Sequence, residues 1–559
     1  MEKRRNANRV WMFVVTGLLL AGFFLLHPNL VAAASFKSTM PTVLDPAYTV
    51  QILVPGSYFH GIHGLTFDSR DNLYAGSVVG AAIYHVDVNT GKVEEYIGPP
   101  EGMADDLEFG PDGRLYYTSY LQGRLRAKSA DAQPVVLAEK LLGINSLAFN
   151  KQGRLFAAQV FLGDALYEID LSGQKKTRKI AEKLGGLNGF DFGPDNMLYG
   201  PLWFKGEVVK VDVETGKIET VAKGFKTPAA VNFDSKGNLF ALDTATGEVI
   251  QVDVKTGQKK TIAKVDPSLD NLAIDSKDRI FVSNMSKNGI YEINKETGKA
   301  RTVVEGKLAH STGVAVISED KGDTVYAADC FSYKKVDGFT GAVTMLMASH
   351  AEGSHINYPS SISVSKNHTL LIGPGGVQVI DRNANRSLKE YGDFQGAAYA
   401  LMMDDGSVLV SEMGTGKLLK VTGEGEKGRV AVAQDLISPG YLAWAGPGAV
   451  YVSEVTAGLI SRIDLAAGQK KVVASGLRTP KGLGVLPDGK IAVLEGAIGQ
   501  VTIIDPATGA MKPLAIGLAV GYPPGSPPSK GLVGVAVSSS GAIYVEGDIE
   551  NVIYKFVLK

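Results

Sequence analysis

The sequence predicts an all-β protein: two tandem six-bladed β-propellers after an N-terminal signal segment. Three observations carry this. A unit of about 40 residues recurs along the chain, the spacing of a four-stranded propeller blade. Each unit alternates apolar and polar residues with a period of two, broken by Gly, Asn and Asp turns. The units are also too numerous for one ring. They open near His63, Asp105, Asn145, Asn188, Ala229, Asp270, Thr312, Ser360, Ala398, Gly440, Lys481 and Val533, twelve in all. Propellers close with about four to eight blades, so two rings of six is the simplest partition, although counting alone leaves seven plus five open.

One unit shows the pattern. Gly64-Leu65-Thr66-Phe67-Asp68 turns into Leu73-Tyr74, Ile83 to Asp87 forms a third strand, and Thr90-Gly91 leads into a fourth from Lys92-Val93. The 66 glycines suit many tight hairpins. At 45% hydrophobic residues over 559 positions, the chain has enough apolar material for two cores of about 250 residues each.

In chain order, residues 1–34 read as a signal peptide. Lys3, Arg4, Arg5 and Arg9 precede an apolar run from Val10 to Leu26, and Ala32-Ala33-Ala34 offers a small-residue cleavage site. This predicts a periplasmic or extracellular protein that meets a membrane only if the segment stays uncleaved as an anchor. Residues 35–47 read as a lead-in linker, 48–306 as the first propeller and 307–559 as the second. Tyr48-Thr49-Val50-Gln51-Ile52-Leu53-Val54 alternates like a strand and has the character of a closing strand, because the last unit shows only three strands of its own. The sequence does not say which ring receives it.

Composition excludes several classes. Lys plus Arg (57) nearly cancels Asp plus Glu (58), so no basic face for nucleic acid is expected. The single cysteine, Cys330, rules out an internal disulfide and any thiolate metal cluster. Gly423-Glu424-Gly425-Glu426-Lys427-Gly428 matches the dinucleotide pattern by letter, but a strand follows it instead of the helix that would cradle phosphate.

The first ring carries a distinctive column. Aligning its units on Phe67, Phe109, Phe149, Phe192, Phe233 and Ile274 and stepping back four positions gives His63, Asp105, Asn145, Asn188, Ala229 and Asp270. Equivalent positions on the innermost strands converge on the propeller axis, and five of these six are polar. Carboxylates and amide carbonyls are hard oxygen ligands that suit calcium, whereas zinc or iron would call for more histidine. Asp106 and Asn271, adjacent in sequence, are placed to add ligands or to orient the others. His63 is the candidate general base, since an unperturbed imidazole titrates near neutrality; Asp105 or Asp106 is the alternative. For any one of Asp105, Asn145 or Asn188, capping of a turn is the competing reading. The second ring is an internal control: the same column there is Thr312, Ser360, Ala398, Gly440, Lys481 and Val533, with no carboxylate or amide.

At Asp105 to Gly113, Gly143-Ile144-Asn145-Ser146-Leu147, Leu187-Asn188-Gly189-Phe190 and Leu269 to Asp275, the first half of the chain resembles the calcium-dependent six-bladed propeller hydrolases, the regucalcin/gluconolactonase group and the paraoxonases. The resemblance implies a catalytic calcium held by Asp105, Asn145, Asn188 and Asp270, with Asn271 as a paraoxonase-like extra ligand. It also implies hydrolysis of a small-molecule lactone or related ester. Two other readings remain at this level. One is a non-enzymatic NHL-repeat-like propeller that binds a protein or glycan; the other is a metal-dependent lyase resembling the streptogramin lyases.

Overall fold

The computed structural model describes residues 36–172, 177–522 and 532–559. The expected signal peptide and the Pro-rich insertion at 524–528 lie outside the described residues. The chain forms twelve antiparallel sheets of four strands, one of them widened to five. We number them as blades 1–12 in chain order of their inner strands.

In blades 1–6 the inner strands are Leu65–Phe67, Leu107–Phe109, Ile144–Phe149, Asp191–Phe192, Pro228–Phe233 and Leu269–Ile274. Each packs on the next, and the strand of blade 6 packs back on that of blade 1. Blades 7–12 start from Gly313–Glu319, Ser361–Val364, Ala397–Met402, Pro439–Trp444, Pro480–Val485 and Val535–Val537, and they close into a second ring the same way. The partition is therefore six plus six.

The N-terminal segment departs from the expected domain boundaries. Tyr48–Val54 pairs antiparallel with Val552–Leu558 and is the outermost strand of blade 12. Residues 48–54, assigned above to the first propeller, thus belong to the second. Part of the supposed linker, Thr42–Val43, pairs with Met511–Ile516 at the edge of blade 11. The first ring is an insertion between the closing strand of the second ring and that ring's first blade. Its own blades are each built from continuous chain.

Two local rules recur. The third strand often ends in an Asp that caps the following turn: Asp253 Oδ1 accepts from the Lys255 and Thr256 amides at 2.8 and 3.0 Å, and Gly257 takes the left-handed conformation at φ +71°. This is the source of the Thr-Gly signal. Near the axis the strands leave little room: a Cβ on Gly189 would lie 2.5 Å from the Ala230 Cβ.

The chain crosses between the rings twice, and two asparagines lock the crossings. Asn288 Nδ2 donates to Phe59 O at 2.8 Å and Leu308 O at 2.9 Å, and Asn551 Nδ2 donates to Phe59 O at 2.7 Å. Beside them Lys334 and Asp329 form a buried ion pair at 2.6 Å. Lys334 Nζ also donates to Ser286 O at 2.9 Å, and Asp329 Oδ1 accepts from the Ala309 and His310 amides at 2.7 Å each. His60, His310 and Tyr522 pack together here, with the two histidine rings 5.5 Å apart. His60 Nε2 meets Asp548 O at 3.1 Å, while His60 Nδ1 and both nitrogens of His310 lack a hydrogen-bond partner among the described residues.

Burial lowers His60 to about 4 and His310 to about 3, from 6.5. A protonated imidazole is excluded from the fold but accepted by the unfolded chain, so stability is complete above about pH 6.5 and falls as pH drops toward 4. Chemical denaturation at pH 8, 6 and 5 checks this: the wild type should lose stability across the series, and His310→Phe should show a flatter profile.

Candidate functional site

Some of the column residues are placed by a repeated device. Several inner strands begin with a register shift against the second strand, as between Leu269 and Leu272 or Pro439 and Leu442. The shift takes a backbone N–H out of the ladder. A hydroxyl on the second strand accepts it and donates to the next blade. Thr118 Oγ1 accepts from Asp106 N at 3.0 Å and donates to Asn145 O at 2.6 Å. Ser283 Oγ accepts from Asn271 N at 3.0 Å and donates to His63 O at 2.5 Å, which joins blade 6 to blade 1. Ser411 and Ser453 repeat the arrangement in the second ring, donating to Gly440 O and Lys481 O. The acceptor is the column residue each time, so the device fixes where its side chain starts.

In the first ring the strand starts carry carboxylates and amides at the mouth of the channel. Asp105 is buried and Asp270 half-buried, and neither carboxylate has a hydrogen-bond donor among the described residues. Burial raises both above the usual carboxylate range, and the neighbouring charges of Asp270 and Asp106 raise Asp105 further. Ser146 Oγ links the two amides, at 2.8 Å from Asn145 Oδ1 and 3.2 Å from Asn188 Oδ1. Ala229 is buried and apolar.

Two candidates sit differently from expectation. Asp106 accepts from Leu107 N and Asn271 Nδ2 at 3.0 Å on Oδ1 and from Leu147 N at 3.2 Å on Oδ2. With both oxygens occupied it stitches blades 2, 3 and 6 and is not free to serve as a base. Asn271 donates to Asp106, and its Oδ1 is taken by Leu272 N at 2.7 Å. That oxygen is committed to the strand and is a poorer ligand than those of Asp105 and Asp270.

His63 is buried at the same level. Its Nδ1 lies 3.2 Å from Gly61 O and 3.4 Å from Val78 N, and Nε2 has no protein partner among the described residues. The shorter contact favours a proton on Nδ1, leaving the Nε2 lone pair available. Burial lowers the imidazole to about 4, away from the near-neutral value expected above, so His63 is uncharged at neutral pH.

Along the inner strands of the first ring lies a cavity of about 220 Å³ lined in part by Asp106, Glu108, Asp191, Asn232 and Asn271. Burial raises Asp106 to about 7 and Asp191 to about 6, and raises Glu108 well above its ordinary value. Glu108 and Asp191 reach the next blade's backbone, at Phe149 N and Phe233 N, both 3.0 Å. They belong to a second column, one position before the aligned apolar residue: Thr66, Glu108, Ala148, Asp191, Asn232 and Ala273. The alignment contained that signal, but stepping back four positions passed over it.

The mouth also receives residues from the second ring. Tyr358, on the connection between blades 7 and 8, is raised in pKa first by burial and also by charges that include Asp270 and Asp105. Its hydroxyl meets His350 Nε2 at 2.8 Å. No repeat pattern marks this connection, so only the packing of one ring on the other reveals it. The second ring's own channel is filled: Tyr399 and Tyr441 pack at 4.4 Å, and the buried Tyr441 hydroxyl reaches across to Thr312 O at 3.3 Å.

The donor set has a definite character. No group of three or more His, Cys, Asp or Glu side chains among the described residues is spaced to hold a metal. A cation would therefore need the amide oxygens of Asn145 and Asn188 beside the two carboxylates, which is a mixture that calcium accepts.

Comparisons with known proteins add little beyond architecture. A family model described as a repeat of unknown function, DUF6923, matches residues 130–271, which includes blades 3–5. Curated protein sequences give no match. Among solved structures, the chain is similar to virginiamycin B lyase from Staphylococcus aureus, at 13% identity and TM-score 0.37, covering 50% of this chain and 96% of that one. It is similar to a gluconolactonase from Xanthomonas campestris at 16% identity and TM-score 0.36, covering 45% and 94%. An extracellular domain described as part of a hybrid two-component system of B. thetaiotaomicron covers 91% of this chain and 82% of its own, at 11% identity and TM-score 0.34. At these identities and scores none of the three carries an argument about activity.

Two measurements follow from this geometry. Ser283→Ala should strip partners from Asn271 N–H and His63 O and cost about 1–3 kcal/mol in urea denaturation. Asp270→Asn should relieve the repulsion with Asp105, raise the melting temperature of protein treated with chelator, and abolish any further rise on adding calcium.

Proposed function

We propose that the protein is a calcium-dependent hydrolase of a lactone or related ester, acting outside the cytoplasm, with its site at the mouth of the first ring's channel. The observation that carries this reading is the pair Asp105 and Asp270: two interacting carboxylates, each without a protein donor, in the same column as the amides of Asn145 and Asn188, of which Asn188 Oδ1 also accepts from Gly189 N at 2.9 Å. Buried like charges without a counter-ion are costly, and a divalent cation removes the cost. Calcium held there would polarise a substrate carbonyl and stabilise the oxyanion that develops on it.

The remaining steps belong to the chain's own side chains. His63 Nε2 is uncharged and unpartnered at the same mouth, so it can take a proton from water as the water oxygen bonds to the carbonyl carbon. When the carbon–oxygen bond of the ester breaks, the proton passes to the departing alkoxide, yielding a carboxylic acid and an alcohol, or a hydroxy acid from a lactone. Gly61 O holds the imidazole through Nδ1 and keeps Nε2 directed away from the backbone. Asp106 and Asn271 hold the strand starts on which Asp105 and Asp270 are mounted.

The test combines metal and substrate. Calcium at 100 times its Kd should stabilise the native protein by about 2.7 kcal/mol, and both Asp105→Asn and Asp270→Asn should remove that shift. On a panel of lactones and aryl esters, His63→Gln should lower kcat by roughly 10²–10⁴-fold. Turnover that survives chelator and all three substitutions would overturn the reading. Recovery of an unsaturated product in place of a hydrolysed one would replace hydrolysis with elimination.

A further inference from the structure

An unbroken file of aromatic rings runs from solvent to His63, and the second ring supplies half of it. It begins at Phe204, which is 61% exposed, and passes to Phe161 at 5.5 Å and Trp203 at 5.3 Å, all in the first ring. It then crosses to His350 at 5.1 Å, Tyr358 at 5.8 Å and Phe331 at 5.9 Å, all in the second ring. Phe331 returns it to His63 at 5.3 Å. Every contact in the file is edge-to-face, the preferred arrangement of packed aromatics.

Three further observations separate this file from ordinary packing. Phe161 and Phe204 keep 45% and 61% of their surface exposed, where a structural aromatic would be covered. Phe161, His350 and Tyr358 all lie in the left-handed region, at φ of +64°, +61° and +43°. Such strain in non-glycine residues persists only where the surroundings impose it, and it collects at functional sites. The connection carrying His350 and Tyr358 is also tied down on the first ring, by Glu352 N donating to Ala245 O at 2.9 Å and by the exposed pair Lys226–Glu352 at 2.9 Å.

We infer that the site is completed by both rings, with the Tyr358 hydroxyl donating a hydrogen bond to the bound ester oxygen and the aromatic file receiving an apolar, preferably aromatic, substituent of the substrate. This rests on the hydrolase reading for the identity of the reacting group. The apolar selection stands on the file alone. Polyhydroxylated sugar lactones are then poor substrates, because the file offers them only rings and a single hydroxyl beyond the carboxylates. Tyr358 is a positioning and binding residue; His350 orients its hydroxyl through the 2.8 Å contact.

The test uses the whole chain with calcium and a pair of substrates, phenyl acetate and phenylacetic acid ethyl ester, beside a gluconolactone. Tyr358→Phe should lower kcat about tenfold, the worth of one hydrogen bond, with KM nearly unchanged. Phe161→Ser and Phe204→Ser, at exposed rim positions, should raise KM about fivefold for the aromatic substrates and leave the sugar lactone unaffected. A second readout needs no turnover: N-(2-phenylethyl)acetamide, an unreactive amide, should quench Trp203 fluorescence, referenced to Trp203→Phe, and Phe161→Ser should weaken that binding.

Binding of the amide that depends on Phe161, in a protein that hydrolyses no ester, would sink the hydrolase reading and support the apolar site. Turnover of esters with full kcat in Tyr358→Phe and no aromatic preference would overturn the present inference while leaving hydrolysis intact. Failure of the amide to bind the wild type would also overturn it. Unchanged melting temperatures would show that the variants fold.

Discussion

Every blade has to bring a strand start to the axis without stranding a backbone amide there. Blades 2, 6, 9 and 10 meet that constraint with a hydroxyl, and in blades 6, 9 and 10 a register shift accompanies it. The shift releases one N–H, the second-strand Ser or Thr takes it, and the same oxygen donates to the carbonyl of the column residue one blade on. A buried N–H without a partner costs about 1–3 kcal/mol, so each of these links matters to stability. Because the acceptor is the column residue itself, the bond also fixes where that residue's side chain starts. In the first ring those positions carry His63 and Asn145; in the second, Gly440 and Lys481 are held the same way with no ligand chemistry. The scaffold is therefore indifferent to what it presents, and the site is a property of which residues occupy the column.

Much of this was legible in the sequence. The period, the Thr-Gly turns and the apolar alternation follow from local backbone requirements, and local requirements leave a local pattern. The column was legible for the same reason: a fixed offset from a repeated Phe. What failed to show was everything set by contact between distant segments. Tyr48–Val54 could be recognised as a strand in want of a partner, but which ring it closes depends on its register against Val552–Leu558, some 500 residues away. Asp106 looked like a base by position, and only the amide of Leu147 and the side chain of Asn271 show that its oxygens are taken. His63 was assigned an ordinary imidazole, and burial, which no motif reports, moved it to about 4.

The chain order explains how the two rings are held against each other. A ring appended through one linker would be free to turn about it. Here the first ring is inserted into the second, so two chain segments cross between them, and Asn288 and Asn551 bind both crossings to the same carbonyl of Phe59. With that joint fixed, a connection of the second ring can lie over the channel of the first at a constant height. Glu352 N donates to Ala245 O at 2.9 Å and ties the connection that carries Tyr358 and His350 to the first ring.

The two channels differ in what occupies them. The second ring packs Tyr399 against Tyr441, whose hydroxyl reaches across to Thr312 O. The first ring keeps a cavity lined by carboxylates whose charged forms burial disfavours. Burying ionisable groups costs stability that apolar packing would supply, and the second ring bears that cost as well, since Glu546 is fully buried there with its carboxyl raised well above the usual range. The left-handed residues Phe161 and His350 stand in connections and not in the strands of the blades, where the surroundings impose their conformation.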